Sequence, residues 1–380
     1  MQQGQILFVS HMFGRFGGLE IYNLDTVHAF QNHTNVQVIS AFTSRQEIYE
    51  RISMKGLLPT QPLLQRIYRR TWRFWLNLAL NSLKKDVDLA VAGHVLVLPQ
   101  VANYAKKQGI PYWLLVFGID VWGNWSKEVA KAIEDCDRVV AISEYTAESV
   151  RRRLVRNKDR VVVIHPAVDL DKFFAGSNAN GSVNNDPLII LTVGRLAASE
   201  RYKGHDLIIS ALPEVQKQIK QRIEYWIIGG GDDRLWLEQL ADEVGVADSV
   251  IFKGAVIESE LIEAYQRCNV FAMPSYVTQR PDGNWTGEGF GIVYIEAAAC
   301  GKPVIACDSG GQTDIVVNGL TGLLVKPTVD DVANALVELL SDPKKSQQMG
   351  EAGRHLVGEK FRRELFNQKW TNLLSQLEIY

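Results

Sequence analysis

The 380-residue sequence has few cysteines, no long apolar run and no large excess of either charge. Its four cysteines form no Cys-x-x-Cys pair with each other or with histidines, which indicates reduced thiols in a cytosolic protein core. They are Cys136, Cys268, Cys300 and Cys307. No stretch is long and apolar enough to span a bilayer. The first residues, MQQGQILFVSHMF, lack a basic segment followed by a long apolar run, so no signal peptide is expected.

What is present is the composition of a globular protein. The chain is 46% hydrophobic and 22% charged, with a net charge of -2, and it is long enough for two domains. The charges are unevenly placed: residues 1–168 carry 21 Lys and Arg against 14 Asp and Glu, whereas the remainder carries 20 against 29. The basic first half is therefore expected to meet an anionic surface or substrate. No nucleic-acid partner is expected.

Short apolar runs alternate with helical patterns along both halves, which predicts parallel, doubly wound sheets. Strands are expected at 6–10, 36–41, 89–92, 113–117, 138–142 and 161–164, and then at 188–193, 224–228, 250–253, 270–272, 303–306 and 322–325. The polar segment 175–187, AGSNANGSVNNDP, is typical of a linker. The sequence thus predicts an α/β protein with two Rossmann-like domains, residues 1–175 and 187–358, facing across a cleft. A last helix, 359–380, is expected to pack toward the first domain.

Two features stand out in the first half. Gly17 and Gly18 lie between the first strand and a helix, where glycines let the backbone approach a phosphate; a plain tight turn explains the pair equally well. Residues 61–85 combine a helical pattern with arginines and bulky aromatic residues. This predicts a helix on an anionic membrane surface, the alternative being a solvated basic face over a core-facing stripe.

Chemically useful residues follow several predicted strands. Arg195 follows the strand 188–193 and Lys203 comes eight residues later, and fixed positive charge at a strand end suits a diphosphate. Gly229 opens a Gly-Gly-Gly turn that allows close backbone approach. In the first half, Asp120 lies just past the strand 113–117, where open α/β sheets place ligands.

The stretch 274–326 brings these parts into one pattern. It reads PSYVTQRPDGNWTGEGFGIVYIEAAACGKPVIACDSGGQTDIVVNGLTGLLVK: a glycine-rich loop, an apolar helix, a short strand and a Gly-Gly turn. With VGRL…KG, IIGGGDD and KGAVIESELIEAYQRCNVFAMPS, it resembles the retaining GT-B glycosyltransferases of family 4. The hallmark of that family, Glu-x7-Glu, is met by Glu288 and Glu296. The resemblance covers nearly the whole chain and is strongest over residues 188–326.

The resemblance implies a role for each matching residue. Arg195 and Lys203 would clamp the diphosphate, and Glu288 would position the transferred sugar and stabilise its oxocarbenium character; these three are the expected catalytic residues. The expected donor-binding residues are Gly17, Gly18, Asp120, Gly229, Gly254, Val256, Phe290, Gly291, Ile292 and Glu296. Among them Glu296 would hold the ribose, and the backbone near Gly254 and Val256 the base. A helix that begins near Ile292 would direct its positive end at the phosphates.

One position departs from the family. Relatives usually carry a histidine at the end of the strand in VFGIDVWG, where this chain has Phe117. His94 could approach from the neighbouring strand, although a lone histidine is more often structural. Three Asp-x-Asp pairs occur, but none stands beside the phosphate-binding residues in sequence, so neither a metal nor a cofactor is expected.

The sequence therefore predicts a retaining, metal-independent transfer of a hexose from a UDP- or GDP-linked sugar. The expected acceptor is a lipid-linked or cell-envelope glycan, and the expected location is cytoplasmic, with peripheral contact at the inner face of the cell membrane. Other enzymes of this fold, an epimerase or a phosphorylase, are the competing activities. A catalytically silent nucleotide-sugar-binding protein is the non-enzymatic alternative, which Phe117 keeps open.

Overall fold

The computed structural model describes residues 5–10, 17–40, 64–67, 87–176 and 186–377, with the backbone alone for 40 and 64–67. The chain divides into two compact units. One contains residues 1–166 and 364–380, and the other contains residues 167–363. They are called the first and the second domain below.

The first domain is built on a parallel sheet of seven strands in the order β3-β2-β1-β4-β5-β6-β7. The strands are β1 (Gln5–Ser10), β2 (Asn35–Ser40), β3 (Leu64–Ile67), β4 (Leu89–Ala92), β5 (Tyr112–Val116), β6 (Arg138–Ala141) and β7 (Val161–Val163). The helices are α1 (Gly18–Gln31), α2 (Leu98–Gln108), α3 (Ile119–Trp122), α4 (Lys127–Glu134) and α5 (Glu144–Arg151). Every residue of β4 and β5 is buried, as expected for strands covered on both faces.

The second domain has a parallel sheet of six strands in the order β10-β9-β8-β11-β14-β15 and a separate antiparallel pair, β12-β13. The strands are β8 (Leu188–Val193), β9 (Ile223–Ile228), β10 (Val250–Gly254), β11 (Val270–Ala272), β12 (Thr278–Gln279), β13 (Trp285–Thr286), β14 (Val304–Cys307) and β15 (Gly322–Val325). The helices are α6 (His205–Gln218), α7 (Arg234–Glu243), α8 (Glu258–Arg267), α9 (Ile292–Ala299), α10 (Val329–Ser341) and α11 (Pro343–Lys360).

Short 3₁₀ turns complete the elements, at Val95–Val97, Lys158–Arg160, Ala198–Lys203, Ala247–Ser249 and Gly311–Asp314. Both sheets reverse their strand order at one point, between β1 and β4 in the first domain and between β8 and β11 in the second. In open α/β sheets, ligands bind beyond the carboxyl ends of the strands near such a reversal. Ligand sites are therefore expected at the loops that follow β1 and β4 in the first domain and β8 and β11 in the second.

The helix expected over residues 61–85 is wrong at Leu64–Ile67. These four residues form β3, which pairs in parallel with β2 from Gln37 to Ser40. Main-chain pairing with the edge of an existing sheet outweighs local helix preference in so short a segment. The rest of 61–85, including the arginines at 69 and 70, lies outside the described residues.

The chain ends in α12 (Arg363–Leu374), which groups with the first domain. It begins later than the residue 359 expected from the sequence, because α11 runs to Lys360 and a break follows. At this break Phe361 accepts a hydrogen bond from the Val168 amide at 2.9 Å, and Arg362 pairs with Val168. Trp370 of α12 is fully buried against Phe30, with ring centroids 5.0 Å apart.

The division between the domains falls after residue 166, nine residues before the expected boundary at 175. Residues beyond 166 group with the second domain because they pack on it. Lys172 lies 3.2 Å from Glu258, and the Phe173 ring meets the Tyr265 ring at 6.1 Å. Most of the polar segment 175–187 lies outside the described residues.

The four cysteines are buried and free, as expected from the sequence. Burial raises the pKa of each thiol, for Cys268 to about 12. Among the described residues, no helix is long and apolar enough to cross a membrane.

Candidate active site

The loop after β8 carries the two cations that the sequence singled out. Arg195 follows Gly194, and the chain then forms the 3₁₀ turn Ala198–Lys203 before α6 begins. Gly204 lies between this turn and α6. It has φ +76°, and a Cβ there would lie 2.7 Å from the Pro274 carbonyl oxygen. Only glycine meets both conditions. This glycine therefore fixes the turn that carries Lys203, whose side chain lies beside Gly194 just after β8.

Lys203 and Glu288 form a nearly buried ion pair. The Nζ atom of Lys203 lies 3.1 Å from Oε2 of Glu288, and the side chains are 11% and 17% exposed. Burial alone would lower the pKa of Lys203, but the neighbouring carboxylates of Glu288 and Glu200 outweigh it and the pKa is raised well above its usual value. Lys203 is thus a fixed cation at any physiological pH.

Glu200 extends this pair into a row of alternating charges. Its Oε1 atom lies 2.5 Å from the Arg195 guanidinium, and its Oε2 atom lies 4.0 Å from Lys203 Nζ. The order in space is Arg195, Glu200, Lys203, Glu288. Sequence reasoning found the other three residues and missed Glu200. The one signal in the sequence is its position three residues before Lys203, a common spacing for an unremarkable surface pair.

The loop that presents Glu288 is held by the Gly-Gly turn formed by Gly310 and Gly311. The Gly311 amide donates to the Glu288 carbonyl oxygen at 2.9 Å, and a Cβ on Gly311 would overlap the Gly289 carbonyl. At the other end of the loop, Gly291 has φ +88° and precedes α9. Phe290 is buried, with its ring 5.6 Å from Phe361. These contacts fix the backbone on both sides of Glu288.

Gln312 is a second residue that sequence reasoning missed. It is fully buried, and its side-chain amide donates to the carbonyl oxygens of Ser275 at 2.7 Å and of Cys307 at 3.3 Å. It ties the Gly-Gly turn to the ends of two neighbouring strands. A glutamine in a glycine-rich loop has no local pattern that predicts such a contact.

Glu296 has a different partner from Glu288. It lies on α9, and its Oε2 atom accepts a hydrogen bond from the Tyr265 hydroxyl at 2.9 Å. Burial and the neighbouring Glu296 carboxylate raise the pKa of Tyr265 well above its usual value, so the hydroxyl remains a donor. The two glutamates of the Glu-x7-Glu pattern therefore have different partners. Glu288, before α9, contacts Lys203, whereas Glu296, within α9, contacts Tyr265.

The glycines at the ends of β9 and β10 bring the loops together. The Gly229 amide donates to the Gly254 carbonyl oxygen at 2.8 Å, and the Gly194 amide donates to the Ile228 carbonyl at 2.9 Å. A Cβ on Gly229 would overlap the Gly194 carbonyl. Gly229 and Gly254 thus lie at the same edge of the sheet as Arg195. Val256 lies half-buried two residues after β10.

In the first domain, Asp120 is buried beside Phe117 and His94. Its Oδ1 atom accepts the Phe117 amide at 3.0 Å, and its Oδ2 atom lies 4.0 Å from His94 Nε2. Within the described residues, Oδ2 has no hydrogen-bond partner. Burial raises the pKa of Asp120 to about 7, although backbone N–H groups at Phe117 and along the turn act to lower it.

His94 is oriented by its own turn. Its Nδ1 atom accepts the Leu96 amide at 3.2 Å, which leaves the proton of the neutral ring on Nε2, the atom nearer Asp120. The ring stacks on Phe117 with a centroid distance of 6.2 Å and an interplanar angle of 17°. The structure therefore brings an imidazole from the end of β4 beside the position where relatives carry one on β5.

Gly17 and Gly18 lie at the start of α1. Gly17 precedes the helix and its carbonyl oxygen accepts the Ile21 amide at 3.1 Å. A Cβ on Gly17 would overlap the carboxylate of Glu20. The preceding loop, residues 11–16, lies outside the described residues.

Among the described residues, no group of three or more His, Cys, Asp or Glu side chains is arranged to hold a metal ion. Metal independence stays a prediction.

Two family models together match most of the chain. Residues 16–172 match the model described as Glycosyltransferase Family 4, and residues 177–356 match the model described as Glycosyl transferases group 1. The chain belongs to the family 4, group 1 glycosyltransferases. The second model contains the whole row from Arg195 to Glu288 together with Glu296.

Curated relatives of this glycosyltransferase family match part of the chain. A GDP-mannose-dependent alpha-(1-6)-phosphatidylinositol monomannoside mannosyltransferase from Mycolicibacterium smegmatis is 34% identical over 227 residues, which are 58% of this chain and 57% of that protein. A D-inositol 3-phosphate glycosyltransferase from Gordonia bronchialis is 30% identical over 297 residues, 74% of this chain and 60% of that protein. The chain thus spans little more than half the length of these relatives.

Solved structures match the whole chain. Anabaena HepE in complex with UDP has a TM-score of 0.79 at 19% identity, covering 98% of this chain and 99% of its own. Sucrose-phosphate synthase from Thermosynechococcus elongatus has a TM-score of 0.75 at 22% identity, covering 99% of both chains. Likeness at this level of identity concerns the fold, and it confirms the expected GT-B class with two Rossmann-like domains.

Proposed function

We propose that this protein is a retaining, metal-independent glycosyltransferase that moves a hexose from a nucleotide diphosphate sugar to a lipid-linked or cell-envelope glycan acceptor. The observation that carries the proposal is the buried pair of Lys203 and Glu288, 3.1 Å apart, in a row with Arg195. A site of this kind offers fixed cations for a diphosphate and a carboxylate for a sugar. Family membership supports the same conclusion.

In this proposal the cations stabilise the leaving group. Arg195 and Lys203 bind the diphosphate and offset the negative charge that develops on it as the bond to the sugar breaks. The N-terminus of α9, at Gly291 and Ile292, adds its partial positive charge. Because these groups supply the positive charge that a metal ion supplies elsewhere, no metal is needed.

Glu288 positions the sugar and stabilises its oxocarbenium character. The acceptor hydroxyl attacks from the face that the diphosphate leaves, and its proton passes to the departing phosphate oxygen. The new bond therefore keeps the anomeric configuration of the donor. Holding both substrates in this arrangement is the main contribution of the protein.

Glu296 and the strand-end glycines bind the nucleoside. Glu296, oriented by Tyr265, accepts the ribose hydroxyls, and the backbone near Gly254 and Val256 meets the base. Two facts support a uridine or guanosine nucleotide. HepE binds UDP, and the mycobacterial relative is GDP-mannose-dependent. UDP- and GDP-hexoses are therefore the donors to test first.

Asp120 and His94 bind a hydroxyl of the donor sugar or of the acceptor. Their facing atoms are 4.0 Å apart, too far for a direct hydrogen bond, and a hydroxyl oxygen beside both can donate to Asp120 and accept from His94. The buried Oδ2 atom, which has no hydrogen-bond partner among the described residues, supports this role.

The acceptor is proposed to be membrane-bound, at the cytoplasmic face. The mycobacterial relative acts on a phosphatidylinositol monomannoside, and the basic aromatic segment 61–85 supports contact with anionic lipid. Vesicle co-sedimentation tests this point. If Arg69→Glu with Arg70→Glu leaves binding to anionic vesicles unchanged, this segment is not the membrane face.

The proposal as a whole is tested by release of nucleoside diphosphate from a panel of UDP- and GDP-hexoses, with lipid-linked and soluble glycan acceptors. Turnover with one donor is expected, and Glu288→Ala should reduce it at least about 100-fold. Glu338→Ala, which removes an exposed glutamate paired with Lys345, should leave it unchanged. Product anomeric configuration by NMR tests retention, and assays in EDTA test metal independence. Nucleotide binding without turnover of any donor would favour a silent binding protein instead.

A further inference from the structure

Glu200 pairs with both proposed diphosphate-binding cations. Its two carboxylate oxygens lie 2.5 Å from the Arg195 guanidinium and 4.0 Å from Lys203 Nζ. The Glu200 side chain is only 13% exposed, so water screens its charge weakly. An anion thus stands between the two groups that a diphosphate must reach.

The backbone around Glu200 holds it there. Glu200 interrupts the 3₁₀ turn with φ −121°, and its amide donates to the Ala197 carbonyl oxygen at 2.7 Å. The carbonyl oxygen of the preceding residue, Ser199, accepts a hydrogen bond from Arg280, just after β12. These two hydrogen bonds hold the backbone that carries the Glu200 side chain.

We propose that Glu200 is a positioning residue that holds Arg195 and Lys203 in place while weakening the binding of the nucleoside diphosphate product more than that of the intact donor. The inference rests on the proposed function. It assigns to Glu200 two opposite effects on the binding of the diphosphate. The carboxylate orients the cations, and its charge speeds release of the product.

The second effect follows from the charges of the two ligands. The diphosphate of an intact nucleotide sugar carries two negative charges. After transfer, the terminal phosphate of the product gains most of a third, since its last pKa lies near 6. Repulsion by a fixed anion a few ångströms away therefore grows when the sugar leaves. The product is released more readily than it would be from two unopposed cations.

The test is calorimetric titration of the wild type and of Glu200→Gln with UDP, GDP and the corresponding nucleotide sugars. Glutamine keeps the shape and removes the charge. We expect the affinity for the nucleoside diphosphate to rise about tenfold and that for the intact donor by about threefold. In turnover assays, kcat should fall and product inhibition should strengthen. A loss of orientation alone would instead weaken both ligands.

Two variants serve as controls. Glu238→Gln removes the same charge from an exposed pair with Arg234 on α7, and it should change neither affinity by more than about twofold. Glu200→Asp keeps the charge and shortens the reach, so its ratio of product to donor affinity should stay close to that of the wild type.

The outcomes separate this inference from the proposed function. If the wild type binds neither a nucleoside diphosphate nor a nucleotide sugar, the proposed function fails and this inference fails with it. If the wild type binds them and folded Glu200→Gln binds product and donor with unchanged or equally altered affinity, only this inference is overturned.

Discussion

Each of the two domains has a largely buried carboxylate near the carboxyl end of its sheet, but among the described residues only the carboxylate of the second domain has a cationic partner within hydrogen-bond distance. Glu288 in the second domain lies 3.1 Å from the buried ammonium of Lys203. Asp120 in the first domain is 3% exposed and meets only a histidine at 4.0 Å among the described side chains. The difference shows that burial alone does not set the state of an acid. A neighbouring ammonium favours the ionised form of a buried carboxylate, whereas burial without such a cation favours the protonated form.

The largest effect is expected when the pair in the second domain is broken. Lys203→Met leaves Glu288 and Glu200 without their buried cation. Donor turnover should fall at least about 100-fold, and the free energy of unfolding in urea should fall by about 3 kcal/mol. As a control, Lys345→Met removes a 42% exposed lysine from its pair with Glu338 and should cost less than about 1 kcal/mol. Equal losses in the two variants would contradict the importance of burial.

Asp120→Asn should stabilise the protein, with a gain that depends on pH. The pKa of Asp120 is about 7 in the folded protein, against an ordinary value of 3.8 for an aspartate, so the folded state binds more protons than the unfolded state between these two values. The free energy of unfolding then falls as pH rises from about 4 to 7, and the asparagine variant escapes this fall. Its advantage should be absent near pH 4 and reach up to about 4 kcal/mol near pH 8. Urea titrations at several pH values measure it.

Asp135 is the matched control for this prediction, because its pKa is shifted in the opposite direction. Asp135 lies 2.7 Å from Lys106, and the hydrogen bond with that lysine lowers its pKa. Its contribution to stability is present above the unfolded pKa and is lost as pH falls. Asp135→Asn should therefore destabilise slightly near pH 7, by less than about 1 kcal/mol because the pair is exposed. A stabilising Asp135→Asn, or a pH-independent Asp120→Asn, would remove the contrast.

The smallest effect concerns which strand supplies the imidazole. His94→Ala should lower kcat/KM by about tenfold, the loss of one hydrogen bond to a substrate hydroxyl. Adding Phe117→His to His94→Ala should restore part of it, because the two rings stack in the wild type. Adding Phe117→Leu should not. If His94→Ala is without effect on kcat/KM, His94 serves only to cap its 3₁₀ turn.

Local sequence patterns predicted most of the fold. The apolar runs marked the main strands within one or two residues, because strands buried on both faces are apolar throughout. Helix ends also follow local rules: Ser143, a residue type that favours the position before a helix, caps α5, and its hydroxyl accepts the Thr146 amide at 3.2 Å. The errors came where distant contacts decide. The strand Leu64–Ile67 depends on the edge of β2, and the break at Phe361 depends on Val168.

Only part of the candidate site could be predicted from the sequence. The resemblance identified Arg195, Lys203, Glu288 and Glu296 individually. It did not show that Lys203 contacts Glu288 across 85 positions of sequence. It also missed Glu200, since nothing in ASERYKG distinguishes a buried anion from a surface one.

By itself, the sequence determined the alternation of strands and helices, the glycines that close the turns, and the two glutamates on either side of the start of α9. Only the tertiary structure decided which charges are neutralised. A parallel sheet gathers the carboxyl ends of strands that are far apart in the chain, so Lys203 meets two carboxylates while Asp120 meets none of the described cations. Local patterns do not encode that outcome, because pairing and burial depend on distances that only the folded chain sets.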